Sequence, residues 1–242
     1  MNTTTRISML LIGFILALGS RAGAQGLMTE GKIFINVNGG AQTQSRSVDN
    51  SFSLPIYGQT ATVATTATIP SGGLFDFSAG YKVMPSIGVA IGVSTFSVTG
   101  AVAGAASVPS PIFFNRPASV TIPESPAKRK DRSIYVVLVG FVPVTDKVEV
   151  ALSIGPSFTS VKQDLITGVS IPAGTQNVNP TTQTQSGTAK GVNVGVDLTY
   201  MFLKQVGAGA FMRYNGGSVD LESAPDLKAG GFQLGLGGRL RF

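Results

Sequence analysis

Residues 191–202 read Gly-Val-Asn-Val-Gly-Val-Asp-Leu-Thr-Tyr-Met-Phe, and this stretch decides the fold class. Every second residue from Val192 to Phe202 is large and apolar, whereas the residues between them are polar or small except for Met201. Side chains that alternate with a period of two lie on opposite faces of a β-strand. The stretch therefore predicts a strand at about 189–203 with one apolar face and one polar face.

The same alternation recurs in seven further segments, so we predict an all-β chain of eight strands. The other predicted strands lie at about 31–43, 73–84, 86–99, 131–143, 147–162, 206–220 and 230–242. Segment 131–143 is apolar on both faces, and its phase stays open. Elsewhere one face is mostly Val, Ile, Leu and Phe, and the other is Gly, Ser, Asn and Gln with a few charges.

The connections between these strands alternate between short and long. Short turns are predicted at 84–86, 145–147 and 203–205, and long polar loops at 44–72, 100–130, 163–188 and 221–229. With an even number of strands, this alternation puts both chain ends and all three short turns on one side of the sheet.

The composition excludes several classes of chemistry. The chain contains no histidine and no cysteine, which excludes disulfides, zinc sites built on these residues, and Ser-His-Asp hydrolysis. No metal or cofactor is expected. The net charge of +6 is scattered along the chain, which argues against nucleic-acid binding.

Residues 1–24 are expected to be a secretory signal peptide. Arg6 provides the positive region, 7–18 form a short apolar run, and Ala22-Gly23-Ala24 gives a small-residue cleavage pattern. The alternative is an uncleaved N-terminal anchor. On the first interpretation, residues 25–242 form the barrel domain.

The apolar faces point to a lipid environment. Charged residues make up only 12% of the chain, against about 25% in a soluble domain. After the first segment no apolar run is long enough for a transmembrane helix, and lipid offers no partner for unpaired backbone groups. We therefore predict an eight-stranded antiparallel up-and-down transmembrane β-barrel. A soluble sandwich or a secreted ligand-binding barrel would also alternate, but an almost purely apolar face favours lipid.

Aromatic residues cluster near the predicted strand ends on the side of the short turns. We expect them to form an interfacial girdle. They are Tyr81, Phe141, Tyr200, Phe202 and Phe242.

The last strand carries a recognisable pattern of apolar residues. Its alternating positions are Phe232, Leu234, Leu236, Leu240 and the terminal Phe242, with Gly238 interrupting the series. This pattern resembles the C-terminal signal that the barrel-assembly machinery reads in outer-membrane proteins. The whole of 25–242 is similar to the small barrels of the OmpA, OmpX and OmpW type. The resemblance implies location in the bacterial outer membrane.

Seven charged residues fall on the polar face and are predicted to point into the lumen. They are Asp76, Lys82, Glu149, Asp197, Arg213, Arg239 and Arg241. Buried charges must be paired or hydrated, so we expect a salt-bridged network. The network either fills and rigidifies the barrel or lines a narrow pathway for ions.

A basic run precedes the fourth predicted strand at its end away from the short turns. Lys128, Arg129, Lys130 and Arg132 form it. These residues are candidates for contact with lipopolysaccharide phosphates. The alternative is a solvated strand end.

The function that these patterns favour is a structural or surface-interaction role without catalysis. The alternative is a narrow passive channel for small solutes or ions. The expected partners are outer-membrane lipid and lipopolysaccharide, together with the barrel-assembly machinery during biogenesis. Because a closed barrel has no free edge, we expect a monomer.

Overall fold

The structure, a computed structural model, describes residues 31–56, 58–110, 116–170 and 179–242. The predicted signal peptide at 1–24 lies outside these residues. The strands are β1 (Ile33–Gln42), β2 (Arg46–Ile56), β3 (Gln59–Ile69), β4 (Gly72–Met84), β5 (Ile87–Val108), β6 (Ala118–Pro143), β7 (Val148–Ser170), β8 (Asn179–Met201), β9 (Val206–Leu221) and β10 (Ala224–Arg241). No helix in the described part of the chain is long and apolar enough to cross a membrane.

Eight antiparallel strands close into a ring, as the alternation predicted. The ring consists of β1 and β4 to β10, each paired with the next along the chain. It closes where β1 pairs with β10, in a register that runs from Phe34 opposite Arg241 to Gln42 opposite Gln233. On its other side β1 pairs with β4, so no strand of the ring has a free edge at this level.

The predicted loop at 44–72 is wrong, because most of it is a β-hairpin. β2 and β3 pair along their whole lengths, and residues 62–68 of β3 pair with 101–107 of β5. The segment is rich in Ser and Thr, but all of these residues on the two strands except Thr65 occupy the outward row. Ala61, Val63 and Ala67 form the inward row and are fully buried.

The loops predicted at 100–130 and 163–188 are also mostly strand. β5 and β6 pair out to Val108 opposite Ala118, and β7 and β8 pair out to Ser170 opposite Asn179. At 221–229 the turn is only Glu222-Ser223, and β10 begins at Ala224. Together with the β2–β3 hairpin, these strand ends form a second tier on the ring, which we call the extension.

The extension reverses the polarity of the ring. Its interior is mostly apolar and contains two clusters. One includes Val63, Val102, Ala106, Ile122 and Ile166. The other includes Val161, Leu165, Val219, Leu221 and Leu227. Apart from the buried Thr65 and Gln163, most Thr, Ser and Gln residues of these strand ends face outward, so the extension is built as a water-soluble β-structure is built.

A bend in β10 separates it from β2 above the ring. Gly230 has a φ of +71°, and a Cβ at this position would lie 2.1 Å from the carbonyl oxygen of Asn215. Only glycine combines this backbone conformation with such a close approach. Beyond the bend, β10 pairs with β9 alone, and Arg46 of β2 spans the gap by donating to the Lys228 carbonyl at 2.9 Å.

The apolar interior of the extension leads to a matched pair of substitutions on β3. Val63 is fully buried, whereas the adjacent Thr62 is exposed. Val63→Asp buries a charge without a partner, which costs several kcal/mol, and we expect it to loosen the extension but leave the ring folded. Limited proteolysis should cut the β2–β3 hairpin of this variant first, while the ring keeps its heat-modifiable mobility in gel electrophoresis. Equal cleavage of Val63→Asp and Thr62→Asp would contradict the packing described here.

Candidate functional site

The interior of the ring holds all seven of the charged residues that the alternation assigned to it. Six of their side chains are less than 10% exposed, and Asp197 is 17% exposed. They lie in three layers between the short-turn end and the middle of the ring. Each layer joins strands that are not neighbours, so the bonds cross the lumen.

The first layer lies at the short-turn end. Lys82 Nζ lies 2.8 Å from Glu149 Oε2, and Arg241 Nη2 lies 3.6 Å from Glu149 Oε1. Arg241 also donates to Asn36 at 3.1 Å. Lys82 lies 4.2 Å above the ring centre of Phe141, so the aromatic face helps to hold the ammonium group.

The second layer is centred on Arg239, which is completely buried. Its Nε and Nη2 atoms donate to the two carboxylate oxygens of Asp197 at 3.0 and 2.8 Å. Its Nη1 atom donates to the side-chain oxygen of Asn38 at 2.6 Å. This bidentate ion pair is the strongest geometry in which an arginine can bind a carboxylate.

The third layer is centred on Asp76, which is also completely buried. One carboxylate oxygen accepts hydrogen bonds from Arg213 Nη1 and the Tyr135 hydroxyl, both at 2.7 Å. The other accepts from Asn38 at 2.8 Å, which connects this layer to the second. Both oxygens of Asp76 are therefore occupied by protein donors.

Sequence reasoning did not identify Tyr135 or Asn38 as members of this network. Asn38 was on the predicted inward face of its strand but carries no charge. Tyr135 lies in the segment whose phase was open, and its hydroxyl on the inward side settles that phase. The alternation from Asp131 through Ser133 to Tyr135 could have identified this row.

Phe141 corrects the predicted aromatic girdle. It was expected at the lipid interface but points inward and is 3% exposed. It packs edge-on against Phe34, with ring centres 5.2 Å apart, and lies under Lys82. The other four aromatics of the predicted girdle are exposed on the outer surface of the barrel.

Arg129 corrects the predicted basic run. Its side chain is buried and donates to both carboxylate oxygens of Asp131, at 2.9 and 3.1 Å. It also donates to the Lys228 carbonyl at 2.8 Å, which is the group that Arg46 holds. Because residues alternate along β6, Arg129 lies inward whereas Lys128, Lys130 and Arg132 lie outward.

An amide-rich level separates the charged layers from the extension. Asn193 and Asn215 lie directly opposite each other on β8 and β9, and both are buried. Neither polar atom of either amide has a hydrogen-bond partner among the described residues. Buried amides are normally satisfied, so this level has the polar groups needed to bind internal water. Nearer the short turns, a cavity of about 30 Å³ beside Asp197 and Arg241 has room for about two water molecules.

The outside of the ring is an apolar belt. Exposed large apolar side chains occur on all eight of its strands, among them Val37, Phe77, Ile91, Leu138, Ile154, Val194, Met212 and Leu236. The outward row of β10 contains four residues of the predicted assembly signal, Phe232, Leu234, Leu236 and Leu240, and the fifth, Phe242, directly follows the strand and is exposed. A continuous apolar surface of this extent is stable only against lipid or a partner.

Among solved structures, the outer membrane protein OprG from Pseudomonas aeruginosa has a similar fold. The match has a TM-score of 0.51 and 9% identity, and covers 91% of this chain and 99% of OprG. The chain has the fold of the small outer-membrane β-barrel proteins. The fold and the apolar belt together are those of a barrel that spans a membrane.

Two further solved structures match less closely. Neisserial surface protein A gives a TM-score of 0.47 at 15% identity, covering 87% of this chain and 97% of its own. The outer membrane protease OmpT from Escherichia coli gives 0.47 at 12% identity, with 86% and 97% coverage. No family model and no curated protein matches the chain.

The third layer generates a prediction about stability. Arg213→Gln leaves the carboxylate of Asp76 buried without its cation, and we expect the free energy of unfolding to fall by about 3–5 kcal/mol. Urea titration of the protein refolded into lipid vesicles measures this change. The double variant Asp76→Asn with Arg213→Gln removes both charges and should recover much of the loss. Lys228→Gln, which removes an exposed cation, is the control. An unchanged midpoint for Arg213→Gln would show that the pair does not stabilise the barrel.

Proposed function

We propose that this protein is a non-catalytic outer-membrane barrel that does not conduct and whose extension is its surface for interaction outside the cell. The single observation that carries this proposal is the closure of the interior at two levels. Paired charges fill the ring, and apolar clusters fill the extension above it.

The charged layers oppose conduction because they are bonded across the lumen. An eight-stranded barrel has an interior just wide enough for its own side chains. Arg239 alone links β10 to Asp197 on β8 and Asn38 on β1. An ion entering this space would have to break several charge-assisted hydrogen bonds. The apolar clusters then present a dry barrier, since they offer an ion no hydration.

The environment of the carboxylates opposes catalysis. A general acid or base needs a free oxygen within reach of a substrate proton. Both oxygens of Asp76 and both of Asp197 are engaged by protein donors. Glu149 is held between Lys82 and Arg241, and its Oε1 atom, which accepts no hydrogen bond from the described residues, is buried 3.6 Å from Arg241 Nη2. The chain also has no histidine, the side chain whose ordinary pKa suits a general base near neutral pH.

The extension suits a surface role because it is structured rather than loose. Its strands project beyond the apolar belt and present Thr, Ser, Gln and Lys side chains outward over packed apolar clusters. A rigid surface loses little conformational entropy when it binds a partner. We place it outside the cell, with both chain ends and the short turns in the periplasm.

The biogenesis and assembly proposals follow from the last strand and from ring closure. The outward row from Phe232 to Phe242 is available for recognition by the barrel-assembly machinery before β10 closes on β1. Once the ring has closed, its pairing edges are used up, which favours a monomer.

A narrow channel is the alternative function, and one observation favours it. The unpartnered amides of Asn193 and Asn215 indicate water in the middle of the lumen. That water would become part of a pathway only if the layers on both sides opened.

Conductance of the refolded protein in a planar bilayer separates the two functions. We expect no steady single-channel steps, because ion pairs close the lumen of the ring and apolar side chains fill the extension. A porin run in the same bilayer checks sensitivity, and heat-modifiable mobility checks that the barrel is folded. Steady steps that vanish in Arg213→Ala would overturn the closed-barrel proposal in favour of the channel.

A further inference from the structure

The outer wall formed by β6, β7 and β8 carries a set of cations just beyond the apolar belt. They are Lys128, Lys130, Arg132, Lys162 and Lys190, and all five are exposed. Lys162 and Lys190 lie far from the other three in sequence and join them only in the folded barrel. We call these five residues the basic face.

The strand registers bring the basic face together. Lys130 lies directly opposite Lys162, so two ammonium groups are neighbours on adjacent strands. Arg132 lies opposite Ser160, which in turn lies opposite Thr188, and Lys190 lies opposite Phe158. Like charges placed directly opposite each other in a sheet repel. This arrangement therefore favours an anion that bridges the cations.

The cations of the basic face have no acidic partner for their charged groups in the described part of the chain. The nearest candidate is Asp164 on β7, but its carboxylate accepts from the Lys128 backbone amide at 3.0 Å and the Thr184 hydroxyl at 2.6 Å. By contrast, Lys228 on β10 is paired with Asp226 at 2.8 Å. That hydrogen bond lowers the pKa of the Asp226 carboxyl. The five cations of the basic face are thus grouped on one wall of the barrel without ion-pair partners among the described residues, whereas Lys32 and Lys147 lie apart from them at the short-turn end.

The position of the basic face along the barrel, directly above the apolar belt, identifies the kind of molecule that it binds. Arg132 is the next outward residue after Ile134 of the belt, and Lys190 is the next after Val192. Phe158 of β7 is exposed at the top of the belt, and it lies opposite Ile134 on β6 and Lys190 on β8. A molecule that contacts both the apolar belt and the basic face must have acyl chains beside the belt and negative groups directly above them.

We propose that the basic face binds the phosphorylated headgroup of a lipid in the outer leaflet, with lipid A of lipopolysaccharide as its occupant. The acyl chains lie against Ile134, Phe158 and Val192. The phosphates lie between Lys130, Lys162 and Arg132, and the hydroxyls of Ser160 and Thr188 donate to the same oxygens. This inference rests on the proposed outer-membrane placement and adds a lipid site to it. It replaces the contiguous run 128–132, because Arg129 faces the interior.

Binding of lipid A to the refolded protein in nanodiscs tests this site. The variant combines Lys130→Gln, Lys162→Gln and Lys190→Gln. The matched control combines Lys32→Gln and Lys147→Gln, which remove exposed cations at the short-turn end. Native mass spectrometry or fluorescence titration gives the dissociation constant for bis-phosphorylated lipid A and for the same lipid treated with phosphatase.

For the wild type we expect bis-phosphorylated lipid A to bind roughly tenfold to a hundredfold more tightly than the dephosphorylated lipid, and the triple variant should lose this preference. The control should keep it. Equal binding by wild type and triple variant would overturn the site, and so would equal affinity for the two lipids. Displacement of lipid A by millimolar inorganic phosphate would reduce the basic face to a general anion site and overturn the lipid assignment. The bilayer conductance experiment is independent, so a failed lipid site would leave the closed-barrel proposal standing.

Discussion

Pairing between the first and last strands of the ring is the interaction on which the rest of the structure depends. Backbone groups in the hydrocarbon core have no water to bond with, so every strand at that depth needs two neighbours. β1 meets this need by pairing with β10 on one side and β4 on the other. Once the ring is shut, its inward and outward faces are fixed by the alternation of each strand. A one-residue slip at this seam would turn Arg239 toward lipid and Leu240 toward the lumen.

The same strands meet two solvents along their length, and their side chains change accordingly. In the ring, apolar residues face outward and charges are paired inward. In the extension, Val, Ile and Leu face inward and most hydroxyl and amide side chains face outward. The boundary is marked on β6, where Ile134 faces lipid and Arg132 faces water, while Asp131 and Ser133 face the interior. One continuous strand thus belongs to a membrane barrel at one end and to a water-soluble β-structure at the other. The basic face and the amide-rich level both lie near this boundary.

The ring was predictable because lipid demands large apolar residues at every second position, which leaves a strong pattern in 189–203 and 230–242. The seven lumen charges could be assigned to the inward face for the same reason. The extension was missed because its inward row on β3 is Ala61, Val63, Thr65 and Ala67, small residues among many threonines, so the composition resembled a loop. Arg129 and Phe141 were misplaced because 131–143 is apolar on both faces and hides its phase. Pairing partners such as Tyr135 with Asp76 depend on strand registers that only the folded ring fixes.

Fluorescence quenching by brominated lipids tests the central claim most directly. The chain has no cysteine, so single cysteines placed in turn at 188–199 on β8 can each carry one fluorophore. The structure predicts that probes at 192, 194, 196 and 198 are quenched by brominated acyl chains, whereas those at 193, 195, 197 and 199 are not. It also predicts that quenching ends at 190 and 188, where the outward row enters water. Equal quenching at odd and even positions, or quenching that continues past 190, would contradict this account of the barrel.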